Sequence, residues 1–331
     1  MIMLWVKTIH QTALRLGFLS GKDANTSAAF FCFGGTMSQA HFSKPPLSSS
    51  DLVNLMRARG LEVPDPRRAE RHLRLVGYYR LMGYGKSFFD STSQTFYPGT
   101  TYDTIWNAYK FDRKLRLLTL DAIERIEVAI RTAISNEMSI THGPHWVMEP
   151  SLFKTPKDCS AVQASLQQDL KNKSHEIVVH YYQKYNSPPL PPSWMIMECI
   201  SMGAWINILK RLKQPEQKRI STAFALPYVS LVSWASSLAW TRNVCAHHGV
   251  LWTRPNTKPP KTPQPGMQYP NIGGKESTYF ATAVISYGFL KRIVTKSTWA
   301  DRLFSLFEEF PTVNISAMGF SPNWKQDKFW Q

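Results

Sequence analysis

A chain of 331 residues, 43 % of them hydrophobic, is long enough to bury a substantial core and too apolar for a disordered polypeptide. Its 39 Lys and Arg against 23 Asp and Glu give a formal charge of +16, which favours an anionic partner, nucleic acid or a lipid surface. No run approaches the length of a membrane-spanning helix, and four scattered cysteines (Cys32, Cys159, Cys199, Cys245) without CxxC spacing argue against a disulfide framework and for a reducing, cytoplasmic setting.

The first stretch, MIMLWVKTIHQTALRLGFLSGKDANTSAAFFCFGGTM, opens apolar but is interrupted by Lys7, His10 and Arg15, so it does not read as a secretory signal. Residues 1–40 are expected to form a poorly ordered extension. SKPPLSSSDLVNLMRARGLEVPD carries loop signals, then a helix capped by Ser49 or Ser50 and ending near Gly60. Beyond Pro64 and Pro66, RRAERHLRLVGYYRLMGYGKSFF places Leu73, Val76, Tyr79 or Arg80, and Gly83 at helical spacing. Arg67, Arg68, Arg71, Arg74 and Arg80 take the remaining surface, so residues 41–100 read as a basic helical subdomain.

Residues 102–140 contain no Gly or Pro, and Leu115, Leu118, Ala122, Ile126, Ala129 and Ala133 form a stripe of steps of three and four, which predicts a long amphipathic helix. Asp121 with Arg125 and Glu127 with Arg131 are supporting i, i+4 pairs. Further helices are expected over 163–185, 194–213 and 214–226. In VSLVSWASSLAWTRNVCAHH, Leu231, Trp234, Leu238 and Ala246 share an apolar side. Residues 249–275, rich in Pro, Thr and Lys, read as a long irregular loop, and compact domains usually keep such loops for function. Helices over 276–295 and 298–309 close the chain. With no alternation long enough for a sheet, the expected fold is all-α.

The segment RNVCAHH, residues 242–248, concentrates the polar chemistry. At 100° per residue, Asn243 and His247 stack on one helical face, with Arg242 about 140° from His247 but long enough to reach round. A guanidinium can fork onto two phosphate oxygens, and an imidazole can take a proton from a ribose 2′-hydroxyl or give one to a leaving 5′-oxygen, with no metal needed. Other readings stand beside this one. His247 can be an ordinary helix-end residue. A metal pair at His247 and His248 is disfavoured because adjacent helical residues diverge by about 100°. A Cys245 nucleophile would need a base arranged round it.

The chain resembles the Abi-like proteins of phage defence, a branch of the HEPN superfamily. The resemblance runs from about Phe42 to Trp330, through KPPLSSSDLVNLMRARGL, GYYRLMGYGKSF, FDRKLRLLTLDAIERIEVAIRT, HYYQKYNSPPLPPSWMIMECISMGAW, TRNVCAHHGVLW and MGFSPNWKQDKFW. It implies a HEPN-type helical bundle over residues 101–331 and metal-independent endoribonuclease action through an Arg, four to six residues, His motif. That carries onto Arg242 and His247, with Asn243 beside the arginine and His248 as a supporting neighbour. The products would be a 2′,3′-cyclic phosphate and a 5′-hydroxyl. Two such motifs usually face each other. Arg67 and His72 repeat the spacing in a differently patterned segment, so a homodimer is the economical way to pair the motif. Where members commonly carry a basic residue and an asparagine, this chain has Val250 and Thr253.

The expected partners are RNA, a second copy of the chain, and a possible antitoxin or regulatory RNA; no cofactor, metal or membrane is implied. Tyr79 and Arg80 are candidates to stack on bases and grip phosphate, or else to pack the core. Glu127 or Arg131 would orient Arg242 or His247, or else be plain surface pairs. Lys258 and Lys261 would sit on an RNA-contacting flap. The rival readings are a non-catalytic RNA-binding protein and a structural member of a defence complex.

Overall fold

Ser48 starts the first helix through a reciprocal cap: the Asp51 N–H donates to Ser48 Oγ at 3.1 Å and the Ser48 N–H donates to Asp51 Oδ2 at 3.3 Å. The cap therefore precedes the expected Ser49 or Ser50. A computed structural model of the chain describes residues 45–171 and 175–331. The extension expected over residues 1–40 lies outside them. Leu47–Gln331 forms one compact unit.

Helix α1 spans Ser49–Ala58. Asp65 then caps α2, Pro66–Val76, by accepting the Arg68 N–H at 2.9 Å, and Pro66 occupies the first turn, where a missing N–H costs nothing. Gly77, at φ +91°, turns the chain into α3, Tyr78–Gly85. The basic stretch from Arg67 to Gly85 is thus two short helices broken at one glycine. Two-residue strands β1, Phe89–Asp90, and β2, Thr95–Phe96, pair antiparallel with Phe89 opposite Phe96. That hairpin was not expected.

The long helix α4 covers Tyr102–His142. Leu115, Leu118, Ala122 and Ile126 are buried as predicted, but farther on the seam passes to Ile130 and Ile134, leaving Ala129 and Ala133 at its margin. The stretch expected as one helix over 163–185 starts earlier and is two, α5 Pro156–Lys171 and α6 Glu176–Lys184. The next is also split: α7 Ser193–Cys199 ends before Ser201, whose Oγ accepts the Ala204 N–H to start α8, Met202–Arg211. Helices α9 (Gln214–Thr222), α10 (Tyr228–Ala246), α11 (Tyr279–Ile293) and α12 (Trp299–Glu309) follow, with 249–278 irregular between α10 and α11. The fold is all-α, and no helix of the described residues is long and apolar enough to cross a membrane.

Two apolar clusters share the long helix. One gathers α1 to α3, the first half of α4 and the carboxy-terminal aromatics around Phe111, Leu115, Trp252 and Trp299. The other gathers α5 to α9 against the second half of α4, around Ile126, Trp205, Trp234 and Phe289. Helix α10 passes from the second, at Leu231 to Leu238, into the first, at Val244 and Cys245, so its carboxy-terminal end emerges beside α3 and the first half of α4.

His72 lies flat on Trp106, with ring centroids 3.7 Å apart, so Arg67 and His72 do not make a second motif: one is at the surface and the other is stacked in the core margin. Burial, then the Arg68 and Arg71 charges, hold His72 below its ordinary 6.5. The unfolded chain therefore binds a proton that the folded one resists, and this contribution to stability, complete above pH 6.5, is lost as pH falls below it. Unfolding free energy measured from neutral to mildly acid pH should fall less steeply in His72→Phe than in the parent; parallel curves would remove His72 as a cause.

Candidate active site

Helix α10 ends at Ala246 with His247 as its cap, the His247 N–H donating to the Asn243 carbonyl at 3.0 Å. His248 takes a left-handed conformation, φ +57°. Its N–H donates to the Cys245 carbonyl at 3.0 Å, and the Gly249 N–H reaches the Val244 carbonyl at 2.8 Å. This is the double closure that glycine ordinarily makes at a helix end, with a histidine in the glycine's place. Histidine enters this region more readily than most residues but still at about 1 kcal/mol. His248→Gly should raise stability by about that amount in a denaturant melt, and an unchanged midpoint would show the turn to be unstrained.

Arg242, Asn243 and His247 are all exposed, while Val244 and Cys245 turn inward. Asn243 and His247 stay one helical turn apart on one face. No hydrogen bond or ion pair within the described residues occupies the Arg242, Asn243 or His247 side chains. Ala246, expected on the apolar side with Leu231, Trp234 and Leu238, is exposed, while those three are buried. Cys245 is no nucleophile: burial, followed by the nearby Asp112 carboxylate, pushes its thiol up to about 12. Among the described residues no three His, Cys, Asp or Glu side chains gather as a metal-ion set.

The turn after His247 is locked from beneath. Asp112 on α4 is wholly buried and accepts the Leu251 N–H at 3.0 Å, the Trp252 N–H at 2.8 Å and the Tyr84 hydroxyl at 2.8 Å, besides a short bond from Arg116 one helical turn on. Burial pushes the Asp112 carboxyl up, and these four donors work against that. Arg116 also donates to Tyr84 Oη at 2.8 Å and to the Gly249 carbonyl at 3.1 Å. From α3, Arg80 donates to the His248 carbonyl at 2.9 Å. Two guanidiniums thus hold carbonyls of the turn that follows α10, at His248 and Gly249. Gly249 is closely packed: a Cβ there would lie 2.9 Å from the Arg254 guanidinium and 3.2 Å from Val244 Cγ1. Val250 is explained by its contact with Gly83 of α3, where a Cβ would lie 3.4 Å from the valine methyl.

Of the residues singled out from sequence, Arg80 is brought to the end of α10, and Tyr79 beside it stands 74 % exposed rather than packed in the core. Glu127 and Arg131 are elsewhere. They bond each other at 2.6 Å, Arg131 also approaches Glu198 at 3.9 Å, and neither touches Arg242 or His247. Lys258 and Lys261 ride on a strap, not a flap. Asn256 Nδ2 donates to Ser237 Oγ at 2.8 Å, the Lys261 N–H to Ser233 Oγ at 2.9 Å, and Trp234 Nε1 to the Lys261 carbonyl at 2.8 Å. The loop therefore runs back along α10, placing Lys261 about 15 Å of helix rise from Asn243, with both lysine side chains exposed. Lys210 joins them: burial, then the Lys258 charge, hold it below the usual lysine range. Asp112, Arg116, Tyr84 and Arg254 were missed, although Asp112 and Arg116 lie four apart on the same stripe as Ala108, Leu115 and Thr119.

Neither a cavity of about 520 Å³ lined by Glu137, Lys218 and Arg219 nor one of about 370 Å³ lined by Lys291, Asp327 and Lys328 includes the Arg242 set. What the end of α10 presents is exposed, unengaged donors and an imidazole, suited to an anion that arrives from outside. A protein-family model described as Abi-like protein matches residues 71–253, a span that takes in Arg80, Asp112, Arg116 and the whole of RNVCAHH. No curated protein and no solved structure matches the chain.

Proposed function

The chain belongs to the Abi-like protein family, associated with abortive infection in phage defence, and from that premise and the exposed Arg242, Asn243 and His247 we propose a metal-independent endoribonuclease with a HEPN-type bundle. The observation that carries the reading is the pairing of unengaged side chains with a locked backbone: the groups that would do chemistry have no internal partner, while the turn that directly follows them is fastened by Asp112, Arg116 and Arg80. Catalytic groups need such fixed placement, because orientation accounts for much of an enzyme's advantage.

Arg242 and Asn243 hold the non-bridging oxygens of the scissile phosphate and stabilise the charge that builds on them. His247 accepts the proton of the 2′-hydroxyl as O2′ bonds to phosphorus; the P–O5′ bond breaks, and a protonated imidazole returns a proton to O5′. The products are a 2′,3′-cyclic phosphate and a 5′-hydroxyl. One helix end gives one imidazole, so His247 of a second copy supplies the acid and the working unit is a homodimer.

The test is purified protein against single-stranded RNA, with product ends identified by mass spectrometry and rates followed on dilution. Cyclic-phosphate ends that vanish in Arg242→Ala and His247→Ala, with specific activity falling on dilution, are expected. Tight binding without cleavage by dimeric protein would favour the RNA-holding reading and overturn this one.

A further inference from the structure

We propose that the outer face of α2, continued by Tyr79 and Arg80 on α3, is a track for single-stranded RNA leading to the end of α10. The proposal deepens the reading above by naming the surface that takes its single-stranded substrate, and rests on it only for what happens where the track ends.

Arg67, Arg71 and Arg74 fall on successive turns of α2, opposite the buried Ala69 and Leu73, and make a ridge about 10 Å long. All three are exposed, and none enters an ion pair among the described residues, whereas Arg68 on the flank is tied to Asp103. Glu70, the helix's one acidic residue, is half-buried and bridges none of them. Three unpaired arginines side by side repel one another, a cost that phosphates laid along them would relieve.

Beyond Gly77 the character changes from charge to ring. Tyr78 is held by Arg59, which donates to its hydroxyl at 3.4 Å, and meets Tyr79 edge-on at 5.6 Å between centroids. Tyr79 is left 74 % exposed. An exposed ring next to arginines suits an unpaired base, which can stack, and not a base already stacked in a duplex. Arg80 follows directly and bonds the His248 carbonyl, so the ridge ends where Arg242 and His247 begin. A lipid surface fits less well, since α2 turns its apolar side into the core and shows water Leu75 alone.

The test uses full-length His247→Ala protein, so that RNA stays intact, and anisotropy of a labelled oligouridine, a matched duplex, and phosphatidylserine vesicles. Single strand should bind more tightly than duplex. Arg67→Gln with Arg71→Gln and Arg74→Gln should weaken it about a hundredfold near 0.1 M salt and lower the log–log salt slope by about 2. Tyr79→Ala should cost about tenfold without changing the slope. An unchanged slope in the triple variant, duplex bound as tightly as single strand, or vesicle binding that alone depends on the ridge, would each overturn the track. The two readings separate on the wild-type background. Loss of single-strand binding in ridge variants of a protein that never cuts RNA keeps the track and removes the nuclease. Cutting at an unchanged kcat/KM in ridge variants keeps the nuclease and removes the track.

Discussion

His247→Ala is expected to lower RNA cleavage by about 10²- to 10⁴-fold, the range for loss of a general acid or base, with stability held within about 0.5 kcal/mol. The second half follows from position. His247 is exposed at the helix cap, its N–H bond to the Asn243 carbonyl survives the substitution, and its side chain has no partner among the described residues to lose. Arg242→Ala should behave alike in stability and lose about 10²- to 10³-fold in rate, as when one donor to a developing charge is removed. Arg242→Lys should recover little, because an ammonium cannot reproduce the two-pronged grip. The measurement is single-turnover cleavage beside a urea melt. Residual activity within threefold of the parent in both alanine variants would leave RNVCAHH an ordinary helix end.

Asp112→Ala should destabilise the chain by about 3 to 5 kcal/mol, the largest loss expected of any single substitution outside the apolar clusters. The carboxylate is wholly buried and serves four donors at once. Removing it leaves the Arg116 guanidinium, 7 % exposed, without its counter-charge, and strands the N–H groups of Leu251 and Trp252. Arg116→Met alone removes the other half of the pair. The double variant should cost less than the two singles together, by about 0.5 to 3 kcal/mol, because it leaves neither charge orphaned. Additive singles, or a loss below about 1 kcal/mol for Asp112→Ala, would show that the network does not hold the turn.

Long-range periodicity was readable and punctuation was not. Tyr102–His142 announced itself because 41 residues pass without Gly or Pro and both i, i+4 ion pairs are where the spacing puts them. The break at Ser201 was hidden because ECISMGAW carries an apolar pattern straight through it, and only the bond from the Ala204 N–H to Ser201 Oγ marks a new start. The pairing of Phe89 with Phe96 was invisible for a simpler reason: two residues cannot show an alternation. At the site, Arg242, Asn243 and His247 could be named because their side chains are the signal. Asp112 and Arg116 were not singled out at all. Their true partners are backbone N–H and C=O groups at Leu251, Trp252 and Gly249, which side-chain identity does not record. For Arg131 the plain reading was the right one, since it bonds Glu127 one helical turn away and does not turn toward Arg242 or His247.

The long helix gives both clusters a common member. Its first half, to Ala122, is lined by one and its second, from Ile123 to Met138, by the other, with no glycine or proline between them at which it could part. Melting either cluster therefore strips one flank from a rod of about 60 Å and weakens the footing of the other. The two halves are bound to lose order together, as one cooperative block, and damage near His142 is felt at Asp112 through the rod they share.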